Sequence, residues 1–490
     1  MGRTPVTPAS GLTVADWPLA TSTLRRRTAT AVADPVLRGN VANAVDRFRV
    51  AKAAAYDRVH EPDELRRALR GVRGDVLSRW DEVLGRLADN VLAQGGHVCW
   101  APDAATANAY VAEVARRTGA RTAVKSKSMV TEETGLNVAL AAVGCAVTET
   151  DLGEWIIQLA DEHPSHIIIP AVHRNRHQIA DTFEAEAGLT ERTTEPDELT
   201  AFARGELRRR FLEADLGITG VNLGVAETGS VVLVTNEGNG RMVTTVPRVH
   251  VAVMGAERVV DTWDQADLLL GLLAKSATGQ TLTSYTSITT GPRREGEADG
   301  PDEFHLVILD NGRSDLLGTE FAEMLNCIRC GACLNVCPVY RQTGGHAYGW
   351  VYSGPMGAVL TPLLAAGAET GTRSHGDAAH HADEVANAST LCGACMQACP
   401  VEIPLQDLLL GLRRRNASEA PRSERAAWSA WASAWSKPER YRRTLAAASR
   451  GQGLAARLGW LPGIRQWTDG RTLPDLPRRT FTERWEAGDV

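Results

Sequence analysis

Seven of the chain's nine cysteines fall in two short runs, and their spacing is that of metal ligands. The first run is Cys327-Ile-Arg-Cys330-Gly-Ala-Cys333-Leu-Asn-Val-Cys337-Pro338, or C-x2-C-x2-C-x3-C-P. In runs of this kind three thiolates wrap one corner of a cubane iron–sulfur cluster, and the fourth, before proline, serves the other cluster of a pair. The second run, Cys392-Gly-Ala-Cys395-Met-Gln-Ala-Cys399-Pro400, is the same pattern without its first cysteine. The chemistry this predicts is transfer of single electrons.

The crossover puts Cys327, Cys330, Cys333 and Cys399 on a first cluster and Cys337, Cys392 and Cys395 on a second. Register places Ser389 where the absent cysteine would sit. Three outcomes are open for the second cluster: a three-iron [3Fe-4S] cluster, a cubane with serine or another non-cysteine ligand, or a cubane with an open iron. Two [4Fe-4S] clusters are the favoured reading. Gly331 and Gly393 suit close approach of the backbone to a cluster, and Pro338 and Pro400 end the local backbone pattern. Paired C-x2-C motifs also make zinc sites, but zinc takes four ligands, usually as two pairs. Cys99 and Cys145 lie in strand-like segments and read as small core residues.

The elements that position these runs can be read from hydrophobic periodicity. Alanine-rich sequence from Asn40 to Val59 favours helix. Leu77, Trp80, Leu84, Leu87 and Val91 form one helical face. His97 to Ala101 then reads as a strand, and Asp103 as the cap of a helix reaching about Thr118. Further strands are expected at Arg121–Lys125, Cys145–Glu149 and His166–Ala171, with a helix near 137–142. Strands alternating with helices predict an α/β fold with a largely parallel sheet covered on both faces. Strands at Val231–Thr235 and His250–Met254 follow, separated by glycine-rich turns. More than fifty residues separate Cys337 from Cys392, too many for a compact ferredoxin, so an α-helical ferredoxin domain is expected. The expected domains are an N-terminal helical arm (1–76), the α/β domain (77–310), the helical ferredoxin domain (311–412) and a Trp/Arg-rich helical tail (413–490).

Net charge is −6, which gives no general attraction to nucleic acid. No apolar stretch approaches the roughly 20 residues of a membrane span. Clustered rather than spread cysteines point to the cytoplasm.

Several phrases ahead of the clusters resemble the lactate-utilisation (LUD) domain. They are Lys127-Ser-Met-Val-Thr-Glu-Glu133, Glu149-Thr-Asp-Leu-Gly-Glu154, Ala226-Glu-Thr-Gly-Ser230 and Thr235-Asn-Glu-Gly-Asn-Gly-Arg241. With the two cysteine runs and Gly344-Gly-His-Ala-Tyr-Gly349 between them, their order resembles the lactate utilisation protein B family. That resemblance implies a fold shared with sugar-phosphate isomerases and CoA transferases. It also implies an iron–sulfur component of a complex oxidising L-lactate to pyruvate. The partners it implies are the cysteine-rich lactate utilisation protein A and a second LUD protein, lactate utilisation protein C. The short second run looks like the family's own pattern.

Other constellations have duller explanations beside sharper ones. Glu227-Thr228-Gly229 is similar to the turn bearing the nucleophilic glutamate of CoA transferases, or is a polar turn. The alternative function is accordingly an acyl-transfer or phosphosugar enzyme with structural or sensory clusters. Glu237 to Arg241 could make an anion-binding nest or a glycine turn. Lys125 and Lys127, at a strand end, could pair with a carboxylate such as lactate or be a solvated pair. Asp151 and Glu154 could serve acid–base work, with helix capping by Asp151 the plainer account. His173 and His346 are candidate bases with no sign that either faces substrate, and no catalytic residue is assigned. There is no G-x-G-x-x-G motif after a strand. Lactate yields two electrons while each cluster carries one, so another site or another protein must split the pair. In the tail, Trp428, Trp431 and Trp435 with neighbouring arginines could dock on a partner or lie on a membrane near a quinone pool.

Overall fold

A computed structural model of the chain describes residues 21–368, 377–457, 477 and 479–489. The chain divides into two compact units, with the boundary between Arg413 and Arg414.

The first unit contains ten strands among its described residues: β1 (His97–Ala101), β2 (Thr122–Lys125), β3 (Ala146–Glu149), β4 (Leu216–Gly220), β5 (Leu223–Val225), β6 (Ser230–Thr235), β7 (Val249–Gly255), β8 (Val259–Val260), β9 (Tyr285–Thr289) and β10 (Glu303–Leu309). Six form a sheet in the order β1-β10-β7-β4-β2-β3, and every pairing in it is parallel. The central strand β7 is buried at every position, as expected of a parallel strand covered on both faces. Gly217 in β4 is required by packing. A Cβ there would lie 2.2 Å from the Val243 carbonyl oxygen, on the helix Asn239–Thr245. The helix after β1, Ala104–Thr118, starts where the Asp103 side chain accepts the Thr106 N–H and stops at Gly119, φ 69°. Its apolar face (Ala107, Val111, Val114, Ala115) packs on the sheet with Val251, Val253 and Val307.

The expected β run at His166–Ala171 is a turn rather than a strand. The ring Nδ1 of His166 accepts the N–H groups of Ile168 (2.9 Å) and Ile169 (3.3 Å), and Ser165 donates its N–H to the Pro170 carbonyl at 2.9 Å. These donors are satisfied locally, so the segment needs no sheet partner. The second sheet, β8-β5-β6-β9, is mixed. It pairs β5 with β6 and β6 with β9 antiparallel, and β5 with β8 parallel.

The N-terminal helices do more than lead into the α/β core. Helix Pro62–Ser78 carries Arg73, whose guanidinium is buried and donates to the carbonyls of Val259 (2.7 Å) and Leu325 (3.0 Å). From the same helix Arg66 donates twice to the Cys399 carbonyl, at 3.1 and 2.8 Å. Arg70 donates to that of Glu402 at 2.6 Å. Lys52, on helix Pro35–Tyr56, reaches the Ala398 carbonyl. These cations hold the end of the second cysteine run.

The second unit contains the helices Arg422–Trp435, Pro438–Arg457 and Phe481–Glu486. Trp428, Trp431 and Trp435 are exposed; Trp428 meets Trp431 edge-on with centroids 5.9 Å apart, and Trp431 stacks on Trp435 at 5.4 Å. Tyr441 continues the ladder at 5.1 Å from Trp435. Among the described residues, no helix is long and apolar enough to cross a membrane.

Candidate functional site

The two cysteine runs fold as copies of one turn. Arg329 and Leu391 both have φ 57°, and each is followed two residues on by a left-handed glycine, Gly331 (φ 75°) or Gly393 (φ 82°). Each glycine opens a short helix, Ala332–Asn335 or Ala394–Ala398. The left-handed φ, which glycine adopts without penalty, is the local requirement. The close neighbour of Gly331 is the His166–Ile168 turn, since a Cβ would meet Ile168 at 3.2 Å. The correspondence extends to the first position. The Arg329 N–H donates to the Cys327 sulfur at 3.5 Å, and the Leu391 N–H donates to the Ser389 hydroxyl at 3.1 Å. Ser389 therefore stands in the turn where Cys327 stands in the other, as register predicted.

Cys327, Cys330, Cys333 and Cys399 line one small cavity whose other walls include Met324, Ile328, Met356 and Ile403. Burial, and then the neighbouring Cys399, push the Cys330 thiol up to about 12. Burial pushes Cys399 up to about 11. Such thiols ionise only with a cation to compensate them, and an all-sulfur donor set in an apolar wall fits a soft metal centre. The remaining three cysteines form a second group. Cys395 is raised to about 11 by burial and then by Cys337, and Cys337 is raised by burial, with Cys392 adding to it. Cys392, the exposed member, is lowered by the Ala394 N–H and then the Thr390 hydroxyl. Cys99 and Cys145 belong to neither group: Cys99 is in β1, and Cys145 packs in the core against the sheet.

Tyr348, from the Gly344–Gly349 phrase, was not singled out by the sequence. It is 1% exposed, its hydroxyl has no hydrogen-bond partner among the described residues, and it lies near enough to Cys337 to offset in small part the rise that burial gives that thiol. Contacts that favour negative charge on a ligating sulfur stabilise the more negative, reduced state of a cluster. Tyr348→Phe should therefore lower the midpoint potential of the second cluster while leaving its iron content intact. An EPR-monitored redox titration that finds both potentials unchanged would reject this role.

Beside the first run lies a cavity of about 640 Å³ at the carboxyl ends of β2, β3, β4 and β7. Its wall contains a buried ion network that the sequence did not reveal. Arg313 makes a bidentate contact with Glu133 (2.9 and 2.8 Å) and donates through Nε to Glu257 at 2.6 Å. Glu257 also accepts from Arg329, between Cys327 and Cys330, at 3.0 Å. Arg329 lies over the Tyr352 ring at 4.7 Å, and the Tyr352 hydroxyl donates to Glu133 at 2.7 Å. The only sequence signal was that Glu133 ends one of the LUD-like phrases.

The other sequence candidates scatter. Lys125 is buried and paired with Glu132 (2.9 Å) and Glu149 (2.7 Å), so it is neither solvated nor open to a ligand. Lys127 lines the large cavity. Asp151 makes no side-chain cap to its helix. Its carboxylate accepts the Lys127 N–H and the Asn239 amide instead. Glu154 is buried, and burial pushes its carboxyl up to about 8. Glu227 is exposed in a turn, accepting the Trp263 N–H at 3.0 Å, as the plainer reading has it. The stretch from Glu237 to Arg241 leads into the helix Asn239–Thr245. His173 is engaged by Glu162 at 2.7 Å and His346 by the His163 carbonyl at 2.7 Å, with their rings 4.6 Å apart. Neither lines the cavity.

Three family models match the chain: the LUD domain at residues 84–309, a 4Fe-4S dicluster domain at 323–403, and the C-terminal region of lactate utilisation protein B at 411–489. The second of these marks the cysteine-bearing region as an iron–sulfur domain. Lactate utilization protein B of Bacillus licheniformis is 46% identical over 476 residues, covering 96% of this chain and 97% of its own. The Bacillus subtilis protein of the same name is 44% identical over 477 residues, covering 96% and 97%. That of Macrococcus caseolyticus is 51% identical over 397 residues, covering 81% and 80%.

Proposed function

Because the chain belongs to the lactate utilisation protein B family, we propose that it is the iron–sulfur electron-transfer component of a system that oxidises L-lactate to pyruvate. The observation that carries this reading is the convergence of four cysteines from two distant runs on one apolar cavity, with three more grouped beside it. Cys327, Cys330, Cys333 and Cys399 hold the first [4Fe-4S] cluster, and Cys337, Cys392 and Cys395 hold the second. Each bound cluster supplies a site for one electron. The protein's own residues bury these sites and set their charge environment, with Lys52 and Arg66 beside the first. Two partners, lactate utilisation proteins A and C, complete the system in the cytoplasm. Electrons pass on to a partner or to a quinone, and the exposed tryptophan face of the tail docks on a partner, with peripheral membrane contact the alternative. In this reading the chain comprises a helical arm (1–76), the LUD-like domain (77–310), the ferredoxin domain (311–412) and the tail (413–490).

Anaerobic iron and sulfide analysis with EPR tests the cluster content. About eight irons per chain, with signals only after reduction, are expected for two cubanes. About seven, with a signal in the oxidised state, would make the second a three-iron cluster. Failure of the chain combined with its two partners to oxidise L-lactate would overturn the function.

A further inference from the structure

We propose that the cavity at the carboxyl edge of the six-stranded sheet binds a small organic carboxylate, the 2-hydroxy acid of the proposed reaction or its 2-oxo product, through Lys127 and Arg258. This rests on the reading above for the identity of the acid, but the site itself is argued from its own chemistry.

The loops that follow β2, β4 and β7 supply Ser126–Val130, Gly220–Asn222 and Gly255–Arg258 to the cavity, and ligands of open parallel sheets bind outside these strand ends. The cavity opens toward solvent at Asn236 and Glu237, which are exposed. Its other wall is the first cysteine run, since Arg329 lines it and Arg258 donates to the Cys327 carbonyl at 2.9 Å. A ligand here lies against the peptide that carries the first cluster's cysteines.

Four cations line the cavity: Lys127, Arg258, Arg313 and Arg329. Arg313 is matched by Glu133 and Glu257, and Arg329 by Glu257. Arg258 is 7% exposed and among the described residues hydrogen-bonds only to backbone carbonyls, those of Cys327 and Asn222. The Lys127 ammonium is buried and makes no hydrogen bond among the described residues. Its nearest acid, Glu154, lies 3.5 Å away without a hydrogen bond to it, and burial opposes the ionisation of that carboxyl. Of the other acids on the wall, the Asp151 carboxylate is committed to the Lys127 N–H and to Asn239, and Glu237 accepts from the Leu152 N–H. Two cations therefore lack a carboxylate hydrogen bond in a setting where buried charges are normally paired. A ligand carboxylate supplies that partner. Ser126, 1% exposed with a hydroxyl that has no partner among the described residues, offers a further contact suited to a neighbouring hydroxyl or keto oxygen.

Equilibrium dialysis of the full-length, cluster-loaded chain against radiolabelled L-lactate, and separately pyruvate, tests the site under anaerobic conditions. Saturable binding at one site per chain is expected. Lys127→Met should weaken it about tenfold or more, the loss of one charge-assisted contact, with iron content unchanged. Ser126→Ala should weaken it less, and it stands as the second variant if Lys127→Met proves unstable. EPR of the reduced first cluster should shift on adding the bound acid and should not shift in Lys127→Met. The absence of saturable binding by both acids, or binding undiminished in both variants, would overturn the inference. Lactate oxidation by the assembled system alongside such a result would leave the proposed function standing. Acid binding sensitive to Lys127 in a system that does not oxidise lactate would instead sink the function and keep the site.

Discussion

Cys330→Ser is expected to remove the first cluster, leave the second in place, and abolish lactate-dependent electron transfer in the assembled system. Cys330 is 8% exposed and lines the sulfur cavity with Cys327, Cys333 and Cys399. A serine oxygen there is shorter and harder than the thiolate it replaces, in a pocket built for soft donors. Iron per chain should fall to about half. The crossover makes the result sharper. Cys399→Ser, in the other run, should reproduce the Cys330→Ser phenotype, whereas Cys395→Ser, four residues from Cys399, should spare the first cluster and disturb the second. Cys99→Ser is the control, because β1 places that thiol away from both groups, and it should keep full iron. Iron analysis with EPR of the four variants reads these outcomes. Equal iron in Cys330→Ser and wild type would contradict the assignment, and matching losses in Cys399→Ser and Cys395→Ser would contradict the crossover.

The cysteine runs were legible because ligand spacing is a local property. The pseudo-repeat of φ values at Arg329, Gly331, Leu391 and Gly393 shows why two short strings of sequence suffice to specify one turn. The parallel core was legible for a similar reason. Strands at 97–101, 122–125 and 146–149, and those at 230–235 and 249–255, announce themselves by apolar runs between turn signals. The segment at Ile167–Ile169 has the same local signal and a different outcome, because His166 satisfies the donors a sheet would have taken. Periodicity cannot register a side chain acting as a backbone acceptor. Lys125 failed for another reason. Its two acids come from the following helix and from β3, so whether it is free depends on tertiary pairing. The ion network at the cavity draws on Glu133, Glu257, Arg313 and Arg329, four segments with no common spacing. Only the fold brings them together. The clamps from Arg66 and Arg70 to the second run span more than three hundred residues of chain, and a helix of mixed Arg and Leu gives no hint of them.

Replacing Glu133 by glutamine should destabilise the first unit by about 3–5 kcal/mol, the cost of leaving a buried charge without its partner. Glu133 is 0% exposed, and three neighbours depend on it: Arg313, Asn311 (2.7 Å) and the Tyr352 hydroxyl. Burial opposes its ionisation, but Arg313 with the hydrogen bonds from Tyr352 and Asn311 together outweigh this and hold the carboxyl below its ordinary value. In Glu133→Gln the carboxylate is lost while Arg313 stays charged, its remaining acid being Glu257, already shared with Arg329. Thermal unfolding of the cluster-loaded protein should show the loss as a lower midpoint. The double variant Glu133→Gln/Arg313→Met should recover part of it, because removing both charges avoids the orphan; a double variant worse than the sum of the two single changes would argue against the network. A functional consequence follows from the geometry. When Arg313 competes for Glu257, the hold of Glu257 on Arg329 weakens, and Arg329 sits between two cysteines of the first cluster. Glu133→Gln should therefore release iron from the first cluster faster than from the second on exposure to a chelator. An acid far from any cysteine in sequence would then govern how firmly the first cluster is kept.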